Sequence, residues 1–220
     1  MQIYGYSERG MINSIIYSMN ENQILRLIKK IAGYKNEESH YESVIILIEQ
    51  SLSDFGDADL IVVYNVDGMK HVVFVEAKVK TYGTKTWSIE NEYNKFNNIE
   101  KNNGSNIFRQ LSLKKALIEN ISHVKDRVEI SQEKIYRNKK NRRIGGNGIV
   151  LKALDLIKDA SNYHFIGLVP AKREEIENLI IKSEEKFIRL IPWSEIEAFA
   201  EEEKLLNVIE NFKYNYGQIY

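Results

Sequence analysis

Residues 56–80, GDADLIVVYNVDGMKHVVFVEAKVK, constrain this chain more than any other stretch. Two apolar runs, Leu60 to Tyr64 and Val72 to Val75, flank Asp67-Gly68. That dipeptide suits a two-residue hairpin turn because glycine tolerates positive φ. A turn centred there sets the register: Val66 faces Met69, Tyr64 faces His71 and Asp59 faces Glu76. Strands apolar on both faces belong in the middle of a sheet. Directly opposed residues have Cβ atoms roughly 5 Å apart, and like charges placed there are destabilising. A buried carboxylate pair at that spacing calls for positive charge beside it, which a divalent cation held by hard oxygen ligands would supply. Lys78 stands two residues beyond Glu76 and projects from the same strand face.

Two anionic ligands beside one ammonium suit the attack of water on a phosphodiester, with a metal to activate water and a lysine to steady the developing charge. Asp59, followed by Glu76-Ala77-Lys78 at the end of an apolar strand, resembles the PD-(D/E)xK nuclease superfamily; Ala58 stands where that family often has proline. Glu-x-Lys recurs at 184–186 and 202–204, in stretches that read as helical and solvated, so the motif carries weight only on the strand expected to be buried. The bland alternative is a strand-end ion pair of Glu76 with Lys78 or Lys80, and Asp59 as a turn residue. The resemblance implies an α/β fold, a restriction-endonuclease-like three-layer sandwich with a central mixed β-sheet flanked by helices. It implies Mg²⁺ or Mn²⁺ held by Asp59, Glu76 and the Ala77 carbonyl, with Lys78 beside the attacking water. It also implies accessory roles for Glu8 on the first helix and Gln110 on the helix after the Glu-x-Lys strand. The activity expected is metal-dependent hydrolysis of DNA; a catalytically silent nucleic-acid-binding or regulatory protein on the same fold is the alternative.

The chain has 220 residues, enough for one well-packed domain over 1–220, with elaborations expected at 81–106 and 121–160. It has no cysteine, and its four histidines lack ligand spacing, which argues against disulfides and a zinc site. No apolar run suffices to span a bilayer and no signal-peptide pattern opens the chain, so a cytoplasmic protein without membrane contact is expected. The formal net charge of zero hides a segregation: residues 1–100 balance to −4, whereas residues 101–152 balance to +9. Six of the ten residues 134–143 are basic: Lys134, Arg137, Lys139, Lys140, Arg142 and Arg143. Followed by Gly145 and Gly146, they read as a projecting loop that grips DNA phosphates. A homodimer is the other assembly considered.

In chain order, helical spacing predicts a helix over 7–18 and a second from Asn20, with Gln23 in capping-box position, to Gly33. A strand is expected over 44–48, with Glu49 either at the site or solvated, and Asp57 as a further carboxylate near it. A weak helix through Tyr93 and Phe96 has aromatics for anchoring to the core or for stacking on bases. Helices are expected at 106–120, 149–160 and 172–181, strands at 164–169 and 187–191, and a last helix opened by Ser194-Glu195.

Overall fold

The computed structural model describes residues 4–34, 41–80, 87–98, 105–124, 128–129 and 141–219. Helices α1 (Glu8–Tyr17) and α2 (Glu21–Ala32) come first. Ser7 caps α1 by accepting the Gly10 N–H, and Asn20 and Gln23 form the reciprocal capping box of α2. Gly33, at φ 86°, ends α2 in the left-handed conformation that glycine adopts without penalty.

Three antiparallel strands follow: β1 (Tyr41–Ser51), β2 (Asp57–Val66) and β3 (Met69–Ala77). Asp67 and Gly68 both have positive φ, as a type I′ turn needs, and the pairs Val66–Met69, Tyr64–His71 and Leu60–Val75 give the predicted register. β6 (Asn162–Val169) pairs parallel to β3, and β7 (Ile188–Pro192) parallel to β6. Among the described residues the resulting mixed sheet has five strands in the order β1-β2-β3-β6-β7, with the central hairpin in its interior as its two-sided apolarity requires.

Alternation then builds two cores. Ile61, Val63, Val72 and Phe74 face α4 (Ile107–Glu119), α5 (Gly148–Ile157) and α6 (Arg173–Lys182). Leu60, Val62, Val73 and Val75 face α1, α2, α7 (Trp193–Glu202) and α8 (Leu206–Tyr214). The chain is thus α/β, a mixed sheet flanked by helices. Gly167 on β6 lets α4 approach closely, since a Cβ there would lie 2.8 Å from both Ile107 Cδ1 and Leu190 Cδ2. Among the described residues no helix is long and apolar enough to cross a membrane.

Several expectations are corrected. β1 is longer than the apolar run at 44–48, because sheet pairing extends it over flanking polar residues. Ser194 does not cap α7: the helix starts at Trp193, after Pro192, without a side-chain cap, and Glu195 lies in its first turn. The segment around α3 (Ile89–Asn97), by contrast, takes the expected anchoring role, with Ile89 and Phe96 buried and Trp87 and Tyr93 packed against the core. The basic loop does not project along its whole length. β4 (Val128–Glu129) pairs with β5 (Asn141–Arg142), and Ile144 is buried. Arg142 is buried too, and its guanidinium donates to the Asp54 carbonyl, which ties it to the turn before β2.

Candidate active site

Asp59, Glu76 and Lys78 come together on the α4 face of the sheet, and all three are buried. Alternation along β3 puts Glu76 and Lys78 on the face of Val72 and Phe74, and the hairpin register brings Asp59 beside them. The Ala77 N–H donates to Asp59 Oδ2 at 2.9 Å, where the β2–β3 ladder ends. Glu76 Oε2 accepts from Gln110 Nε2 at 2.9 Å, so the α4 glutamine points inward as expected. The Gln110 carbonyl oxygen accepts from Ser105 at 3.2 Å, and Lys78 Nζ donates to Ser105 Oγ at 3.2 Å. Glu8, at the start of α1, accepts from Lys78 Nζ at 3.2 Å. The expected residues Asp59, Glu76, Lys78, Glu8 and Gln110 therefore form one polar group, reached past the less buried Glu8, Ser105 and Gln110.

Two cations complete it that sequence patterns did not single out. Lys114 lies one helical turn after Gln110 and is fully buried; its Nζ is 2.8 Å from Glu76 Oε1 and donates to the Asp57 carbonyl at 2.6 Å. Arg9 fans across three acids, with contacts of 3.4 Å to Glu49, 3.6 Å to Asp57 and 3.4 Å to Asp59 Oδ1. Glu49, at φ 51° near the end of β1, and Asp57 thus stand at the edge of the site, joined to it through Arg9. The i, i+4 spacing of Gln110 and Lys114 was the available signal, since such a pair shares one helix face.

Electrostatics follow from burial. Glu76 is pushed up to about 7, chiefly by desolvation, with Asp59 adding to the rise and Lys114 opposing it. A second buried carboxylate, Glu92 on α3, is also raised by desolvation and accepts the Ile107 N–H at the start of α4.

Among the described residues, each acid of the hairpin has one oxygen held by a hydrogen bond and another facing only a cation. Asp59 Oδ1 has Arg9, and Glu76 Oε1 has Lys114 without the angles of a hydrogen bond. Among the described residues no three His, Cys, Asp or Glu side chains group as a metal cage. A Mg²⁺ ion needs less, since it keeps several waters and binds through one or two carboxylates plus substrate phosphate. Asp59 and Glu76 fit that demand as hard oxygen donors, and the Ala77 carbonyl follows Glu76 directly in sequence.

Of the expected DNA-gripping residues, Lys134, Arg137, Lys139 and Lys140 lie outside the described residues. Arg142 is buried, and its charge is disfavoured by desolvation and by Arg109. Arg143 is exposed and lines a polar cleft with Gly145, Gly146 and Asn147. No family model matches the chain, and neither a curated protein nor a solved structure matches it significantly.

Proposed function

We propose that this protein hydrolyses DNA phosphodiester bonds with the help of Mg²⁺ or Mn²⁺ at Asp59 and Glu76. The observation that carries the reading is the convergence of two facing carboxylates and Lys78, from sites remote in sequence, with an inward glutamine. The element order of helix, three strands, helix, strand, helix, strand is also what a resemblance to the PD-(D/E)xK superfamily implies, and with it a restriction-endonuclease-like sandwich. The bound ion would supply charge neutralisation and an activated water. Lys78, buried and fixed by Glu8 and Ser105, is preorganised to meet charge developing on phosphate. Gln110 holds Glu76 in place and has both donor and acceptor groups for ordering water. Arg143, with Lys134, Arg137, Lys139 and Lys140, would serve DNA affinity through phosphate contacts.

A second reading, a catalytically silent nucleic-acid-binding protein, draws on Arg9 and Lys114, which already balance the two carboxylates. Incubation with plasmid, linear and single-stranded DNA, with Mg²⁺ or Mn²⁺ against EDTA, separates the two. Metal-dependent cleavage that Asp59→Asn abolishes is expected. DNA binding without cleavage under any of these conditions would select the silent reading.

A further inference from the structure

Beyond Lys78 the chain runs into a cavity of about 560 Å³ at the carboxyl ends of the three parallel strands. Lys80 follows β3, Pro170 follows β6 and Ser194 follows β7 on its wall. Three helices begin there: Ser88 caps α3, Lys172 precedes α6, and Ser194 lies in the first turn of α7. Ligands of open α/β sheets gather outside the carboxyl ends of the strands, where helix N-termini favour anions. The volume suits a small organic molecule.

The wall chemistry narrows that molecule. Trp87 presents a partly exposed indole, and its Nε1–H is buried without an acceptor among the described residues. Its ring face suits stacking with a planar base, and its N–H needs an oxygen or nitrogen acceptor. Lys80 and Lys172 have no ion-pair partner among the described residues, so both ammonium groups are available to a phosphate. The acid on this wall, Glu175, is engaged in accepting the Lys172 backbone N–H at 2.7 Å. A planar ring, an unmet donor and two uncommitted cations together describe a nucleotide.

We propose that this cavity takes the terminal nucleotide of a nucleic-acid strand, with its base against Trp87 and its phosphate between Lys80 and Lys172. The choice of a strand end over a free nucleotide rests on the hydrolase reading, because a single residue separates Lys80 from Lys78. A wall on the side of residues 218–219 favours a terminus over a continuing strand: Ile219 lines the cavity, and Lys80 N donates to the Gln218 carbonyl at 2.6 Å.

Tryptophan fluorescence tests this, because the chain has two tryptophans and Trp193 is fully buried, with its N–H on the Lys78 carbonyl at 2.8 Å. The full chain in EDTA is titrated with a deoxynucleoside monophosphate, its nucleoside, inorganic phosphate, and short single strands with and without a 5′ or 3′ phosphate. Saturable quenching by the mononucleotide and by a phosphorylated strand is expected, with nucleoside and phosphate at least tenfold weaker. Trp87→Phe should remove the quench, and Lys80→Ala with Lys172→Ala should weaken it at least tenfold. A phosphorylated strand that binds at least tenfold tighter than the mononucleotide supports the strand end; a smaller advantage overturns that assignment in favour of a free nucleotide. Absence of saturable quenching, or an unchanged affinity in the double lysine variant, overturns the nucleotide site. Asp59→Asn should quench like wild type, and wild-type protein that quenches but cleaves no DNA with Mg²⁺ or Mn²⁺ counts against the hydrolase reading alone. Cleavage without quenching counts only against the cavity.

Discussion

Strand β3 carries two buried polar residues that solve the same problem in opposite ways. At its carboxyl end Glu76, under α4, is neutralised by recruited charge: Lys114 on one oxygen and a hydrogen bond from Gln110 on the other. Near its start His71 lies on the other face, stacked on Tyr64. The Tyr34 hydroxyl is 2.6 Å from His71 Nδ1 and 2.7 Å from His164 Nε2. A hydroxyl has one proton to donate, so one imidazole accepts from it while the other donates to it. Burial holds both histidines below their ordinary pKa, which keeps this cluster neutral by leaving it uncharged. The contrast teaches that burial alone does not mark a reactive site. In the histidine cluster Tyr34 meets one nitrogen of each ring, whereas among the described residues the carboxylate cluster keeps one oxygen per acid facing only a cation, which a stronger cation could claim.

The largest test of this contrast is Lys114→Met. Removing one partner of a buried pair leaves an uncompensated charge, and a loss of about 3–5 kcal/mol in urea unfolding is expected. A loss below about 1 kcal/mol would show that Glu76 does not depend on its cation. Lys78→Ala comes next: on the proposed reading it acts in the transition state, so cleavage should fall about 10²- to 10³-fold while DNA affinity stays within about threefold. Equal loss of rate and affinity would make Lys78 a phosphate anchor instead.

The two clusters should also respond to pH with opposite sign. Glu76 has a folded pKa of about 7 against 4.5, so its contribution is full below 4.5 and is lost as pH rises through about 7. That loss is on the order of 3 kcal/mol and should vanish in Glu76→Gln. The histidines, held below 6.5, contribute stability that is present above 6.5 and lost as pH falls through their lowered values. Unfolding free energies from pH 4 to 8 check both slopes. Mg²⁺ should bind more tightly as pH rises through about 7, because its ligand must be a carboxylate.

Gly167→Ala probes the geometry that lets α4 deliver its side chains to Glu76. The added methyl must displace Ile107 and Leu190, which should cost about 1–3 kcal/mol and lower cleavage. An unaffected rate would mean that Gln110 and Lys114 tolerate a shift of the helix. The smallest effect is expected from His71→Phe, about 1 kcal/mol, because Tyr34 keeps His164 as partner.

What the sequence determined by itself was local and periodic. The Asp67-Gly68 turn sets a register that places Asp59, Glu76 and Lys78 on one face, since side chains alternate with a period of two. The Asn20 box and the Gly33 stop delimit α2 through groups a few residues apart. Glu8 and Gln110 entered through a resemblance, and the tertiary structure brings both to the hairpin acids. It alone revealed Arg9 and Lys114. A lysine or arginine on a helix reads as solvated until the surface it docks on is known, and Lys114 is buried where α4 lies against Glu76 and the Asp57 carbonyl. Arg142 went the other way: a charge run suggests a solvated loop, but packing against the turn at Asp54 buried one of its members. Local pattern specifies which face a side chain takes; only the docking of distant elements decides what that face meets, and so which charges are neutralised and which remain available for chemistry.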